Sequence, residues 1–289
     1  MTPALSIGMP VFNGEKTLEI AINSILIQTF SNFELIISNN ASSDSTAKIC
    51  KYYSSIDPRI RYFEQTQFID GLRNFEYVLK KAKASYFMWA ACDDLWELNW
   101  IEELLPISQK YFCLATGNCI AINHDGTQTQ HIANDYQFSF TANRDKNRKH
   151  YFLIPSFLGK ANAIYGIGPI QIFSETIWNV AKSHGDMLFL YSVLSKFQIH
   201  LNSKTTRYVR LKTNFVPNVA PENDERQQTL RYRLTYFLNV LRTALKSVHF
   251  WTYWQHSSNS ERMMLIYNYP IAIVRALIAI RKFRFSKVR

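Results

Sequence analysis

The chain has 289 residues, 47% of them hydrophobic, with 9 Gly and 9 Pro, a balance that supports a sizeable packed core and excludes a disordered or collagen-like chain. Its four cysteines, Cys50, Cys92, Cys113 and Cys119, form no C-x-x-C pair, and its seven histidines show no H-E-x-x-H spacing, which argues against a disulfide framework and a structural zinc site and fits reduced, packed thiols. The net charge of +11 is lopsided: residues 226–289 carry twelve Lys or Arg and one acid, Glu261, while the other 21 basic and 21 acidic side chains cancel, so the tail reads as a separate unit facing an anionic partner, a membrane surface or nucleic acid.

In chain order, the apolar stretch from Ala4 to Phe12 holds a proline and ends in Asn13-Gly14-Glu15-Lys16. It lacks the basic start and small-residue cleavage site of a secretory leader, which predicts a cytoplasmic protein. Apolar runs at Leu5–Met9, Phe33–Ser38, Arg59–Phe63 and Tyr86–Ala91 read as strands. Between them, Leu18, Ala21, Ile22 and Ile25 fall at helical spacing, and further helices are expected near Ser45–Tyr53 and Phe75–Lys83. This βαβαβ rhythm predicts an α/β fold with a mostly parallel sheet flanked by helices and ligand-binding loops at the carboxyl ends of its strands. The polar segments Pro10–Gly14, Asn39–Asp44 and Asp93-Asp94 all follow strands. Neither G-x-G-x-x-G nor G-x-x-x-x-G-K-[ST] occurs, so a dinucleotide fingerprint and a P-loop are absent.

The segment FMWAACDDLW (Phe87–Trp96) carries the sharpest signal, because an apolar strand stops at two adjacent carboxylates, Asp93 and Asp94. Neighbouring acids repel unless a cation and anionic oxygens neutralise them, which points to a divalent metal and a phosphate-bearing substrate. The same residues admit a second reading, in which Asp94 and Glu97 cap a helix over Trp96–Leu105. Likewise Ser42 or Ser43 is expected to cap the following helix, with Asp44 in its first turn.

Further on, Cys113–Asn123 reads as a strand, His124–Thr127 as a hairpin turn and Thr127–Ile132 as its return. Residues 135–149 are polar and read as a loop; Ile164–Phe173 reads as a strand, and Glu175–Lys182 and Asp186–Lys196 as helices. The tail opens with a helical pattern over Leu230–Val248 and the aromatic run HFWTYW (His249–Trp254). Met263–Ile280 is apolar but holds Asn268, Pro270 and Arg275 and falls short of a bilayer span, so it reads as an interfacial helix among anionic headgroups or a helix packed on protein. Neither zinc-finger spacing nor an RNP-like aromatic signature favours nucleic acid.

Three segments in order, Ser6–Thr46 (SIGMPVFNGEKTLEIAINSILIQTFSNFELIISNNASSDST), Asp57–Phe63 (DPRIRYF) and Ser85–Trp96 (SYFMWAACDDLW), resemble the family 2 glycosyltransferases of the GT-A fold. The likeness runs from about Leu5 to about Asn214. It implies a GT-A domain over residues 1–219; beyond the likeness, the pattern and charge of residues 220–289 predict a helical, basic, membrane-associating region that places the protein peripherally on the cytoplasmic face. The likeness also implies sugar transfer from a nucleoside-diphosphate donor to a hydroxyl of a growing glycan, lipid-linked or free, with inversion and with Mn²⁺ or Mg²⁺ as cofactor. Carried over residue by residue, Pro10, Phe12, Asn39 and Asn40 line the base pocket, Asp93 turns to the ribose and metal, Asp94 to the metal, Arg73 and Asn74 to the diphosphate, and Asp186 is the base. Arg210, in an expected strand Thr206–Leu211, is a further phosphate-binding candidate.

Asn39-Asn40 stands where many members have an acid pair, and Ala91 where many have the first acid of an Asp-x-Asp-Asp run. The base of the donor therefore stays open. These departures motivate the alternative of a catalytically silent, nucleotide-binding or scaffold subunit. A nucleotidyltransferase is disfavoured, since no Gly-rich basic loop follows the first strand. Donor sugar, acceptor and homo-oligomerisation are left open.

Overall fold

A computed structural model of the protein describes residues 2–129, 138–174, 185–211, 241–242, 245–246, 248, 250–255 and 257–286. Four parallel strands form the centre of the main sheet: β1 (Leu5–Val11), β2 (Phe33–Asn39), β3 (Ile60–Glu64) and β4 (Tyr86–Trp89), joined by helices α1 (Leu18–Leu26), α2 (Thr46–Ile56) and α3 (Gly71–Lys80). With β7 (Gly168–Pro169) antiparallel to β4, the order is β3-β2-β1-β4-β7. A smaller sheet, β5-β8-β6, is built from β5 (Leu95–Trp96), β6 (Leu114–Ile122) and β8 (Ile199–Arg210), with α4 (Trp100–Tyr111) between β5 and β6.

The elements follow from their patterning. Every residue of β2 is buried, as a central parallel strand covered on both faces requires. The one acid within it, Glu34, is satisfied by Ser6 Oγ at 2.6 Å, the Lys83 backbone N–H at 2.8 Å and Arg61 Nη1 at 2.5 Å, so a carboxylate survives inside the sheet. The stripe expected on α1 is the stripe it buries, Leu18, Ala21, Ile22 and Ile25. Gly8 lets α3 press onto β1: a Cβ there would lie 2.7 Å from both Phe87 and Val78.

Several expectations are corrected. No helix starts at Trp96; α4 begins at Trp100 after Asn99, and Asp94 does not cap it. The second loop likewise uses Ser45, not Ser42 or Ser43, at the N-cap position of α2. Residues 135–149, read as loop, include the first half of helix α5 (Arg144–Leu153), capped by the Asn143 side chain. Ile164–Phe173 is not one strand: a 3-10 turn (Lys160–Tyr165), the two-residue β7 and a short helix α6 (Ile170–Ser174) replace it, since Pro169 has no N–H for a longer ladder. The turn at His124–Thr127 forms, and of the expected return Thr127–Ile132 the described residues, up to 129, show an isolated bridge of Ile122 with Gln128, while 130–132 lie outside the described residues. Residues 175–182, and most of 230–248, lie outside the described residues.

The C-terminal helices pack on the body of the molecule. Helix α7 (Gly185–Val193), α8 (Phe250–Gln255) and α9 (Asn259–Ser286) contribute Phe189, Tyr253, Leu265 and Ala272 to the same buried core as Trp89 and Phe173.

Candidate active site

Two polar loops meet first. The loop after β1 is laced to the loop after β2: the backbone N–H of Asn13 donates to Ser42 Oγ (2.9 Å), that of Gly14 to Thr46 Oγ1 (2.8 Å) and that of Glu15 to Asp44 Oδ2 (3.1 Å). In return the N–H of Ser43 donates to Asn13 Oδ1 (3.0 Å) and that of Ser45 to Glu15 Oε2 (3.1 Å). Burial alone would raise the Asp44 carboxyl, but hydrogen bonds from Thr46 and Glu15 more than offset it and hold it below the ordinary carboxylate range. Asp44 is therefore a structural tie between the loops.

The acid pair comes next. β8 pairs antiparallel with β5, Trp96 opposite Arg207, a register that carries the Arg207 guanidinium to the carboxylate two residues upstream of Trp96. Arg207 Nη1 lies 3.0 Å from Asp94 Oδ2, and the backbone N–H of Arg210 donates to Asp94 Oδ1 at 3.1 Å. Both partners are almost fully buried. Burial pushes the Asp94 carboxyl up to about 6, against the pull of the Arg207 charge and with Asp93 adding to the rise. Arg207 is itself fixed by the Asn162 carbonyl (3.4 Å) and by stacking on the Tyr165 ring (4.1 Å).

Asp93 is placed differently. It is half-buried, and among the described residues no hydrogen bond or ion pair engages its carboxylate. It borders two adjoining clefts: one of about 470 Å³ shared with Asp94, Tyr165, Asp186 and Arg210, the other of about 490 Å³ against Asn13–Thr17, Asp44 and His124. Asp186, exposed in the first turn of α7, accepts from the Met187 backbone N–H at 2.8 Å. Three carboxylates from two distant stretches, Asp93-Asp94 and Asp186, thus border one cleft.

The other expected residues are distributed as follows. Phe12 is half-exposed and meets the exposed Phe68 edge-on at 5.0 Å, with Pro10 behind it in β1. Asn39 and Asn40 are buried and occupied: Asn39 accepts from the Ser42 N–H and donates to Tyr62 OH, and Asn40 holds the Ile69 backbone through both ends of its amide. Asn74 is likewise spent on β2, its amide bonding Ser38 Oγ (2.7 Å) and the Ser38 carbonyl (3.1 Å). The diphosphate contact expected of Asn74 does not fit that arrangement. Arg73 is exposed next to Leu72, which borders the first cleft. The Arg210 guanidinium, a phosphate candidate, instead donates to the carbonyls of Asp93, Asn123 and His124.

Among the described residues no group of three or more His, Cys, Asp or Glu forms a cage. A small hard cation needs none, since one or two carboxylates plus substrate phosphates suffice. The free carboxylate of Asp93, with Asp94 beside it, fits an ion of that kind.

Known proteins resemble this chain in sequence and in fold. The family model described as Glycosyl transferase family 2 matches residues 6–165. The glycosyltransferase GlyA of Streptococcus pneumoniae is 31% identical over 45% of this chain and 19% of its own length. The GalNAc(5)-diNAcBac-PP-undecaprenol beta-1,3-glucosyltransferase of Campylobacter jejuni is 26% identical over 56% of this chain and 52% of its own. This chain spans about a fifth to a third of the first curated relatives it matches. Among solved structures, S. aureus TarS 1–349 in complex with UDP-GlcNAc superposes with a TM-score of 0.57 at 13% identity, covering 98% of this chain and 92% of that one. The mannosyltransferase PcManGT of Pyrobaculum calidifontis, in complex with GDP-Man and Mn²⁺, gives 0.55 at 10% identity, covering 98% and 75%. The mixed α/β sheet with its flanking helices is thus the expected GT-A fold, and with more than half its length matched the chain is a member of glycosyl transferase family 2.

Proposed function

We propose that the protein transfers a sugar from a nucleoside-diphosphate donor to a hydroxyl of a growing glycan, lipid-linked, at the cytoplasmic face of a membrane to which it is peripherally attached. The observation that carries this reading is the gathering of Asp93, Asp94 and Asp186 around one cleft beside the laced loops. The donor class is supported by the UDP-GlcNAc and GDP-Man complexes of the structural neighbours, whose differing bases leave the nucleotide open. The acceptor class is supported by the name of the campylobacter relative.

In this reading Phe12 stacks on the base, Pro10 backs it, and Asn39 and Asn40 shape the pocket by holding its loops. Asp93 faces the ribose and, with Asp94, the metal; a bound divalent ion supplies charge neutralisation for the departing diphosphate. Arg207 and the Arg210 N–H hold Asp94 in place, and Arg73 reaches toward the diphosphate from the start of α3. Asp186 accepts the proton of the acceptor hydroxyl as its oxygen bonds the anomeric carbon. The bond to the diphosphate breaks on the opposite face, its electron pair leaving with the nucleotide, so configuration inverts.

Asp186→Asn is expected to lower kcat by roughly 10²-fold or more, the scale of lost general-base catalysis, while calorimetry still detects donor binding. Asp93→Asn is expected to abolish the Mn²⁺ dependence of donor binding. Transfer at the unsubstituted rate in Asp186→Asn would remove its role as base; a purified chain that binds donor and transfers to no acceptor would favour the silent, scaffold reading.

A further inference from the structure

Helix α9 has two unlike faces. Glu261, Leu265, Asn268, Ala272, Ala276 and Ala279 form a buried stripe at spacings of three and four, a single helical face. Glu261 pairs there with the buried Arg148 of α5, and the Tyr269 ring meets Phe250 of α8 at 4.7 Å. Turned the other way are Met263, Ile266, Tyr267, Ile271, Val274 and Ile278, between 46% and 71% exposed, with Trp251 of α8 at 69%. Such a row of large apolar side chains in water marks an interaction surface.

Two observations choose the occupant. The first is charge: Glu261, the one acid in residues 226–289, lies on the inward face, whereas Arg275 is exposed and the sequence continues with Arg281, Lys282, Arg284, Lys287 and Arg289. A two-fold pairing of two copies through this face would bring like charges together, while an anionic lipid surface complements them. The second is the inward stripe itself. Residues 259–280 are long and apolar enough to cross a membrane, at a mean hydropathy of 1.7. Yet residues 261–279, roughly 27 Å of helix at 1.5 Å per residue, carry the side that packs on the protein, so crossing would strip α9 from its bed, leave the buried Arg148 without Glu261 and carry that acid toward hydrocarbon.

We propose that the outward face of α9 lies flat in the interfacial region of an anionic bilayer while its inward face stays on the catalytic body. This deepens the peripheral-membrane part of the functional reading and rests on it, but its test needs no sugar transfer. The full chain is floated with vesicles of phosphatidylcholine alone or with one-third phosphatidylglycerol. Binding to the anionic vesicles is expected, with at least a tenfold loss in 0.5 M NaCl and in the double variant Ile271→Asp/Ile278→Asp, whose circular dichroism and transfer to a water-soluble acceptor match the parent. No binding to anionic vesicles, binding unchanged in the double variant, resistance to alkaline carbonate extraction, or a lipid-free dimer dissolved by the double variant would each overturn the proposal. A chain that binds vesicles but transfers nothing overturns the functional reading alone; one that transfers but ignores vesicles overturns the membrane proposal alone.

Discussion

The ammonium of Lys160 is fully buried between the rings of Tyr151 and Tyr253, 4.7 and 5.0 Å from their centroids, and donates to the Tyr151 carbonyl at 3.1 Å. Burial pushes its pKa down from 10.5 to about 7, with the Asp186 charge opposing the shift. Between pH 7 and 10.5 the unfolded chain keeps a proton that the native chain has released, so the Lys160 contribution to stability rises with pH, by at most about 1.4 kcal/mol per unit. Below pH 7 both states are protonated and the cost is constant. Urea midpoints at pH 7 and 8.5 should show this increment in the parent and lack it in Lys160→Met; equal pH increments in both would show that Lys160 titrates normally. Neither Lys160 nor Arg207 was legible in the sequence, because each depends on a non-local neighbour: the burial of Lys160 on Tyr253, the reach of Arg207 on the β5–β8 register. Asp93 and Asp94 stand out in the sequence because they end an apolar strand, and Asp186 stands out only through the family resemblance. What the sequence did not disclose is that Asp94 is held by Arg207 while, among the described residues, no hydrogen bond or ion pair engages the Asp93 carboxylate.

Among the elements, those with local periodicity were readable. The strands β1 to β4 and the stripe of α1 stand where apolar spacing places them. Helix α5 was not, because its buried face includes Asn147 and Arg148 as well as Tyr151 and Phe152, and polar residues inside a core defeat an apolar pattern. The rim loops carry a cost that no periodicity reports: Asn13 and Ala41 both sit in the left-handed region, at φ 49° and 52°. Asparagine tolerates that conformation, whereas alanine pays roughly 1–2 kcal/mol for its Cβ. Ala41→Gly relieves it, and after the extra chain entropy of glycine a gain of about 0.5–1 kcal/mol is expected in denaturant titration; a loss of stability would show that Cβ contacts outweigh the strain.

Across the whole molecule, the C-terminal helices complete the core that the central sheet begins. Tyr253 of α8 packs on Tyr151 and Tyr191, at ring separations of 6.3 and 4.8 Å, and Arg148 stacks on Tyr191 at 3.8 Å while pairing with Glu261 of α9. Tyr191 belongs to α7, the helix that begins beside Asp186. Glu261→Ala leaves the Arg148 charge buried and unpaired, which is expected to cost about 3–5 kcal/mol and to speed proteolysis in residues 250–286. Replacing both partners, as Arg148→Met/Glu261→Leu, is expected to recover much of that loss, which chemical denaturation of the single and double variants checks. Unchanged proteolysis and stability in Glu261→Ala would mean that the pair does not anchor α9. The sequence marked this tail as distinct by its charge, but its docking on the body rests on tertiary contacts that composition does not encode.

The lacing of the first two loops has a consequence for anyone redesigning donor choice. Six bonds cross between Asn13–Glu15 and Ser42–Thr46, some donated from each side. A chimaera that imports only one segment from a homologue strands donors and acceptors on the segment it keeps, whereas transplanting both as a matched cassette preserves every cross-link. Recombination breakpoints for altering nucleotide preference therefore belong before Pro10 and after Thr46, never between them.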